Sequence, residues 1–105
     1  MLTITFRPQF REALLDGRKT ATSRTKLLGN PGDRFRAFGA TFILQDVRLV
    51  TLGLVARERW REEGARSQDD FKRIWASIHP RIGFRETYLV YLYTFTKASP
   101  KGTGR

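Results

Sequence analysis

Residues 2–6, LTITF, alternate β-branched and apolar side chains in the manner of a strand. Pro8 suits the first turn of a helix, and Phe10, Leu14 and Leu15 recur at helical spacing up to Gly17. This predicts a short helix with Arg11 and Glu12 facing outward. Residues 18–26, RKTATSRTK, are polar and read as an extended segment after the Gly17 stop. Asn30-Pro31-Gly32-Asp33 is a concentrated turn signal. Beyond it, Phe35 and Ala37, then Phe42, Ile43 and Leu44, predict two strands joined around Gly39. Residues 46–55, DVRLVTLGLV, form another β-rich run that Gly53 weakens near its end.

From Ala56 the chain turns highly charged. ARERWREEG predicts one or two helical turns anchored by Trp60 and halted by Gly64. Ser67 followed by Asp70 has the logic of a capping box, with a short acid in the glutamate's place. Phe71, Ile74, Trp75 and Ile78 then form an i, i+3, i+4, i+7 stripe closed by Pro80. Tyr88–Phe95, YLVYLYTF, is apolar on both faces, which predicts a central strand. The sum is about six strands and three short helices with no internal repeat. So many short strands in a small chain favour an α+β fold, a small mixed β-barrel with the helices at one end. The strand–helix–strand rhythm of a doubly wound sheet fails through residues 34–55.

At 105 residues a single domain is expected, over 1–96, with 97–105 as a flexible basic tail. No cysteine is present and His79 is the one histidine. Thiolate nucleophiles, disulfides, cysteine zinc sites and any two-histidine site are excluded. Phosphate-loop and dinucleotide glycine signatures are absent, so no cofactor is expected. Without a signal peptide or an apolar run of spanning length, a soluble, cytoplasmic protein free of the membrane is expected, as a monomer.

Charge changes the picture more. Twenty Lys+Arg against ten Asp+Glu give +10, which makes a polyanion, nucleic acid above all, the first partner to consider. Residues 18–36 hold six cations against Asp33 alone. Within GRKTATSR, residues 17–24, an amine, a hydroxyl and a guanidinium (Lys19, Thr22, Arg24) lie close together. In a regular strand Lys19 faces away from Thr22 and Arg24. They converge only if the chain bulges or if Lys19 precedes the strand; the plain alternative is a solvated basic edge. Lys26, Arg34 and Arg36 extend the cationic set. Glu63, beside the Gly64 stop, reads either as a surface ion pair or as a partly buried acid–base group. His79 reads as a helix-terminal or packing residue, and Trp60 and Trp75 as core, with base stacking the alternative.

GxKxxxxR at residues 17–24, then Gly32-Asp33-Arg34-Phe35, then EEGARSQDDFKRIWASIHP and a closing apolar strand, resembles the ASCH domain of the PUA-like superfamily of small β-barrels. The resemblance runs over residues 2–96. It implies a general association with RNA, and a cleft between barrel and helices lined by Lys19, Arg24 and Glu63. In one branch, amidohydrolases that deacetylate 4-acetylcytidine, a lysine, a threonine three residues later and a glutamate form the catalytic set. These positions correspond to Lys19, Thr22 and Glu63. Another member is a ribonuclease. Ala65 follows Gly64 where many relatives carry an aromatic, which implies a wider cleft or a missing stacking surface.

Overall fold

A computed structural model describes residues 1–98. Pro8–Phe10 form a 3-10 turn that leads into α1 (Arg11–Asp16), which stops at Gly17. Four strands follow, β1 (Ala21–Arg24), β2 (Arg34–Ala37), β3 (Ala40–Thr51) and β4 (Leu89–Lys97). Between β3 and β4 lie α2 (Leu52–Glu58) and α3 (Gln68–Ile78). The strands form one antiparallel sheet in the order β1-β4-β3-β2, curled into a half-barrel. Among the described residues, no helix is long and apolar enough to cross a membrane.

Among the described residues four strands, not six, are present, and each difference has a local cause. Residues 2–6 add only a single parallel bridge, Leu2 to Phe35. Farther along, the Thr5 carbonyl accepts from Arg24 Nη2 at 2.7 Å, so this segment lies against the sheet without joining it. The two strands expected around residues 42–55 are one, β3, with a register shift between Leu44 and Asp46. An extra residue at that point increases local twist and helps curl the sheet. The run ends early because Leu52–Glu58 is helical. Thr51 caps it by accepting from Leu54 N–H at 3.2 Å, and Leu52, Val55 and Ala56 are buried at i, i+3 and i+4. β2 and β3 join through Phe38 and Gly39, both at positive φ (52° and 83°), as a two-residue I′ hairpin demands.

β4 is central, as its apolar run predicts. Val90 and Leu92 point into a cluster with Leu52, Val55, Phe71 and Trp75. Tyr93 and Phe95 point the other way, to Ile4, Leu14, Phe35 and Phe42. In that second cluster Phe35 stacks on Phe42 at 5.2 Å and meets Phe95 edge-on at 5.3 Å. β4 runs through Lys97, and Ala98 N–H donates to Thr41 O at 2.8 Å. The remainder of the expected tail, 99–105, lies outside the described residues.

Candidate functional site

β1 is an edge strand, and a cleft of about 310 Å³ opens beside it. The N-terminal segment forms one wall through Phe6 and Phe10, and α3 forms the other through Ile74, Trp75 and His79. Lys19, Thr22, Ser23, Arg24 and Glu63 line the space between.

Lys19 lies before β1, in the turn after α1. This is how it reaches the same cleft as Thr22 and Arg24 despite the strand's alternation. Its backbone N–H is held by Ala13 O, and its ammonium is 3 % exposed. Nζ donates to Ala21 O at 2.8 Å, Glu63 O at 2.7 Å and Glu63 Oε1 at 3.3 Å. Those three bonds use every donor an ammonium has. It also sits 4.8 Å from the Phe10 ring centroid. Burial pushes its pKa below the ordinary lysine range; the Glu63 carboxylate pulls the other way and Arg24 adds a little to the fall.

Glu63 is 7 % exposed. Its segment is clamped onto the start of β1, since Thr20 and Ala21 N–H both donate to Glu62 O, at 2.7 and 2.9 Å. Ser23 Oγ donates to the second carboxylate oxygen at 2.5 Å. Gly64 follows at φ 89°, where a Cβ would stand 3.2 Å from Lys19 Cβ. Glycine here lets the chain turn and lets Lys19 lie flat against it. The surface-pair alternative for Glu63 is therefore excluded.

Thr22 is buried, and its hydroxyl oxygen accepts from Arg24 Nε at 3.2 Å. The Arg24 guanidinium lies over Phe6, 4.9 Å from the ring centroid. His79 stacks on Trp75 at 3.8 Å and 20°, and Trp75 Nε1 donates to Gly83 O at 2.9 Å. Burial, first of all, lowers the His79 pKa; the Trp75 carbonyl opposes this, while Arg24 and Arg7 reinforce it. Trp75 is thus both core and cleft wall, and His79 both ends α3 and packs on Trp75, as read from the sequence, while also lining the cleft.

The remaining cations lie elsewhere. Arg34 and Arg36 are exposed on β2, at the opposite edge of the sheet, and Arg36 donates to Thr41 Oγ and Gly39 O. Lys26 is exposed beyond β1, where its carbonyl accepts from Tyr93 OH. None of the three lines the cleft. Sequence reasoning did not single out Ser23, Phe6, Phe10 or Arg7. Ser23 carried a signal in its place inside the GxKxxxxR run, whereas the two phenylalanines read simply as strand and helix residues. Among the described residues no three His, Cys, Asp or Glu side chains gather as a metal site would require.

No protein-family model and no curated protein matches the sequence. Solved structures do match. Protein EF3133 from Enterococcus faecalis V583, of the DUF984 family, superposes with a TM-score of 0.66 at 17% identity, over 86% of this chain and 70% of that one. The hypothetical protein PH0355 gives 0.68 at 14%, over 90% and 95%. An ASCH domain from Lactobacillus crispatus JV V101 gives 0.65 at 14%, over 92% and 77%.

Proposed function

Proceeding from an ASCH-like fold, we propose that the cleft beside β1 takes in a single nucleobase, presented as a nucleoside or turned out of an RNA strand. The observation that carries this is the composition of one small cavity. Among the described residues, Arg7, Lys19 and Arg24 stand against a single acid, Glu63, between aromatic walls from Phe6 and Trp75. Apolar rings suit a base, and surplus cations suit a phosphate backbone. Titration calorimetry with pyrimidine nucleosides and short RNAs tests it. Binding that Arg24→Ala weakens by about tenfold, the scale of one charge-assisted hydrogen bond, supports the reading; no binding of either class overturns it.

The buried Lys19–Glu63 pair beside Thr22 favours a second reading, hydrolysis of an N-acylated pyrimidine nucleoside such as 4-acetylcytidine. A structural role alone explains such a pair poorly, because desolvating both charges costs several kcal/mol per ion. The Thr22 hydroxyl attacks the acyl carbon and its proton passes to the Lys19–Glu63 pair. The C–N bond breaks, and that proton leaves with the nucleobase amine. Water then cleaves the Thr22 ester, releasing the carboxylate and restoring the hydroxyl. Arg24, already bonded to Thr22 Oγ, stands where negative charge develops. Acetate release from 4-acetylcytidine tests this reading, and turnover no higher than that of Lys19→Ala sinks it. Its pH profile is expected to rise with a midpoint below the ordinary lysine value of 10.5.

A further inference from the structure

Ala21 stands opposite Thr94 and Ser23 opposite Leu92 in the β1–β4 ladder, and Phe95 N–H donates to Thr20 O at 2.9 Å. Hydrogen-bonded and non-hydrogen-bonded pairs alternate in an antiparallel ladder. Thr20 therefore turns its carbonyl, and Thr22 and Arg24 their N–H and carbonyl groups, toward β4, and Ala21 and Ser23 turn theirs to the open edge. Ala21 bears this out, since its N–H donates to Glu62 O and its carbonyl accepts from Lys19 Nζ. Ser23 comes next along that edge, is buried and lines the cleft. Among the described residues neither its N–H nor its carbonyl has a partner within the protein. A buried peptide left so is costly unless something else satisfies it.

We infer that the Ser23 peptide reads the ligand, its N–H and C=O pairing with an adjacent acceptor and donor on the edge of a planar base. The inference rests on the nucleobase reading of the cleft and names how the base is held. Glu62 and Lys19 occupy the edge before Ser23, and β1 ends at Arg24. One open donor–acceptor pair is too little for a peptide strand, which needs several in succession, and it matches the edge of a single heterocycle. A ring bonded there continues the plane of the sheet. It then lies between Trp75, on the side of one core cluster, and Phe6 and Phe10, on the side of the other. Uracil offers N3–H beside a carbonyl, and cytosine or its N4-acyl form offers N3 beside N4–H. Both fit one peptide.

Calorimetric titration of the full chain with uridine, cytidine and 4-acetylcytidine, and then with an uncharged, edge-altered form of whichever binds tightest (N3-methyluridine, or the 3-deaza analogue of the cytidine), decides the matter. Either change removes the N3 hydrogen bond and keeps ring, ribose and charge, so binding is expected to weaken about tenfold. Ser23→Pro deletes the N–H at an outward-facing edge position, where proline is tolerated, and Ser23→Ala deletes the hydroxyl alone. The tenfold preference for the unaltered nucleoside is expected to persist in Ser23→Ala. In Ser23→Pro it shrinks toward unity for a cytidine, whose N3 takes the N–H, whereas uridine, whose N3–H goes to the carbonyl, loses affinity and keeps the preference. Equal binding of the two nucleosides by the unaltered protein overturns the inference and leaves the nucleobase reading standing. No binding by any unaltered nucleoside overturns both. The edge-altered nucleoside decides even if Ser23→Pro fails to fold.

Discussion

Lys19 and Glu63 share one buried space, each satisfying the other, with Ser23 and two main-chain carbonyls completing the set. Removing one partner strands the other charge. Lys19→Met is expected to cost about 3–5 kcal/mol, whereas the double variant Lys19→Met/Glu63→Gln, which buries no ion, recovers most of that loss. Urea unfolding of Lys19→Met, Glu63→Gln and the double variant checks this; a double-variant loss equal to the sum of the two single losses would show that the pair is not coupled. The pH dependence has a definite sign. Because burial lowers the Lys19 pKa in the folded state, the unfolded chain binds more protons between that lowered value and 10.5. Stability contributed at this site therefore rises with pH across that window and levels off above it. The difference between the unaltered protein and Lys19→Met over the same window isolates the effect. Lys19, Thr22 and Arg24 were legible from spacing once Lys19 was allowed to precede the strand. Glu63 was ambiguous because its burial depends on the clamp of Glu62 onto Thr20 and Ala21, a contact between distant parts of the chain. The free peptide of Ser23 was not legible because it follows from the sheet order, which no local pattern encodes.

Elements carry these side chains, and two helix starts set their positions. Ser67 accepts from Asp70 N–H at 3.0 Å, and the Asp70 carboxylate returns to Arg66 N–H at 2.9 Å. The capping logic read from Ser67 and Asp70 thus holds, with the short acid reaching one residue before the cap. Thr51 does the same work for α2, where the sequence reads as strand. Val50, Thr51, Leu52 and Val55 are β-prone or apolar, and the periodicity of four residues cannot tell a buried strand from a buried helix. What decides is the Thr51 hydroxyl together with the backbone tethers Leu52 N–H to Tyr88 O and Gly53 N–H to Glu86 O. Thr51→Val is the sharp test, since it raises local β-propensity and deletes the cap. It is expected to destabilise the fold by about 1 kcal/mol, as is Ser67→Ala. Chemical denaturation checks both, and a stabilised Thr51→Val would mean that strand propensity governs this junction. The lost N-terminal strand has the opposite cause, because Thr5 gives its carbonyl to Arg24 and so trades a ladder bond for a contact in the cleft wall.

At the scale of the molecule, the surplus of ten positive charges is distributed differently from its order along the chain. Residues 18–36 look like one cationic stretch, yet the sheet order sends Lys19 and Arg24 to the β1 edge, and Arg34 and Arg36 to the β2 edge, with β4 and β3 between them. Exposed cations near the cleft are partly matched as well, Arg18 to Asp16 at 2.8 Å being one case. Within the cleft the acid, Glu63, is buried and paired with Lys19 at 3.3 Å. Two consequences separate a polyanion surface from a small-molecule site. Arg36 lies outside the cleft, so Arg36→Ala is expected to leave nucleoside affinity unaltered. If RNA runs across the sheet to the β2 edge, the same substitution lowers the slope of log affinity against log salt by about one unit. Arg24→Ala is expected to weaken nucleoside and RNA together, since Arg24 belongs to the cleft itself. Affinities of both ligands measured from about 50 to 200 mM salt, the range over which counterion release is pronounced, give the slopes. An RNA slope unmoved by Arg36→Ala confines the nucleic-acid contact to the β1 edge; nucleoside binding lost in Arg36→Ala would contradict the separation of the two edges on which the whole arrangement depends.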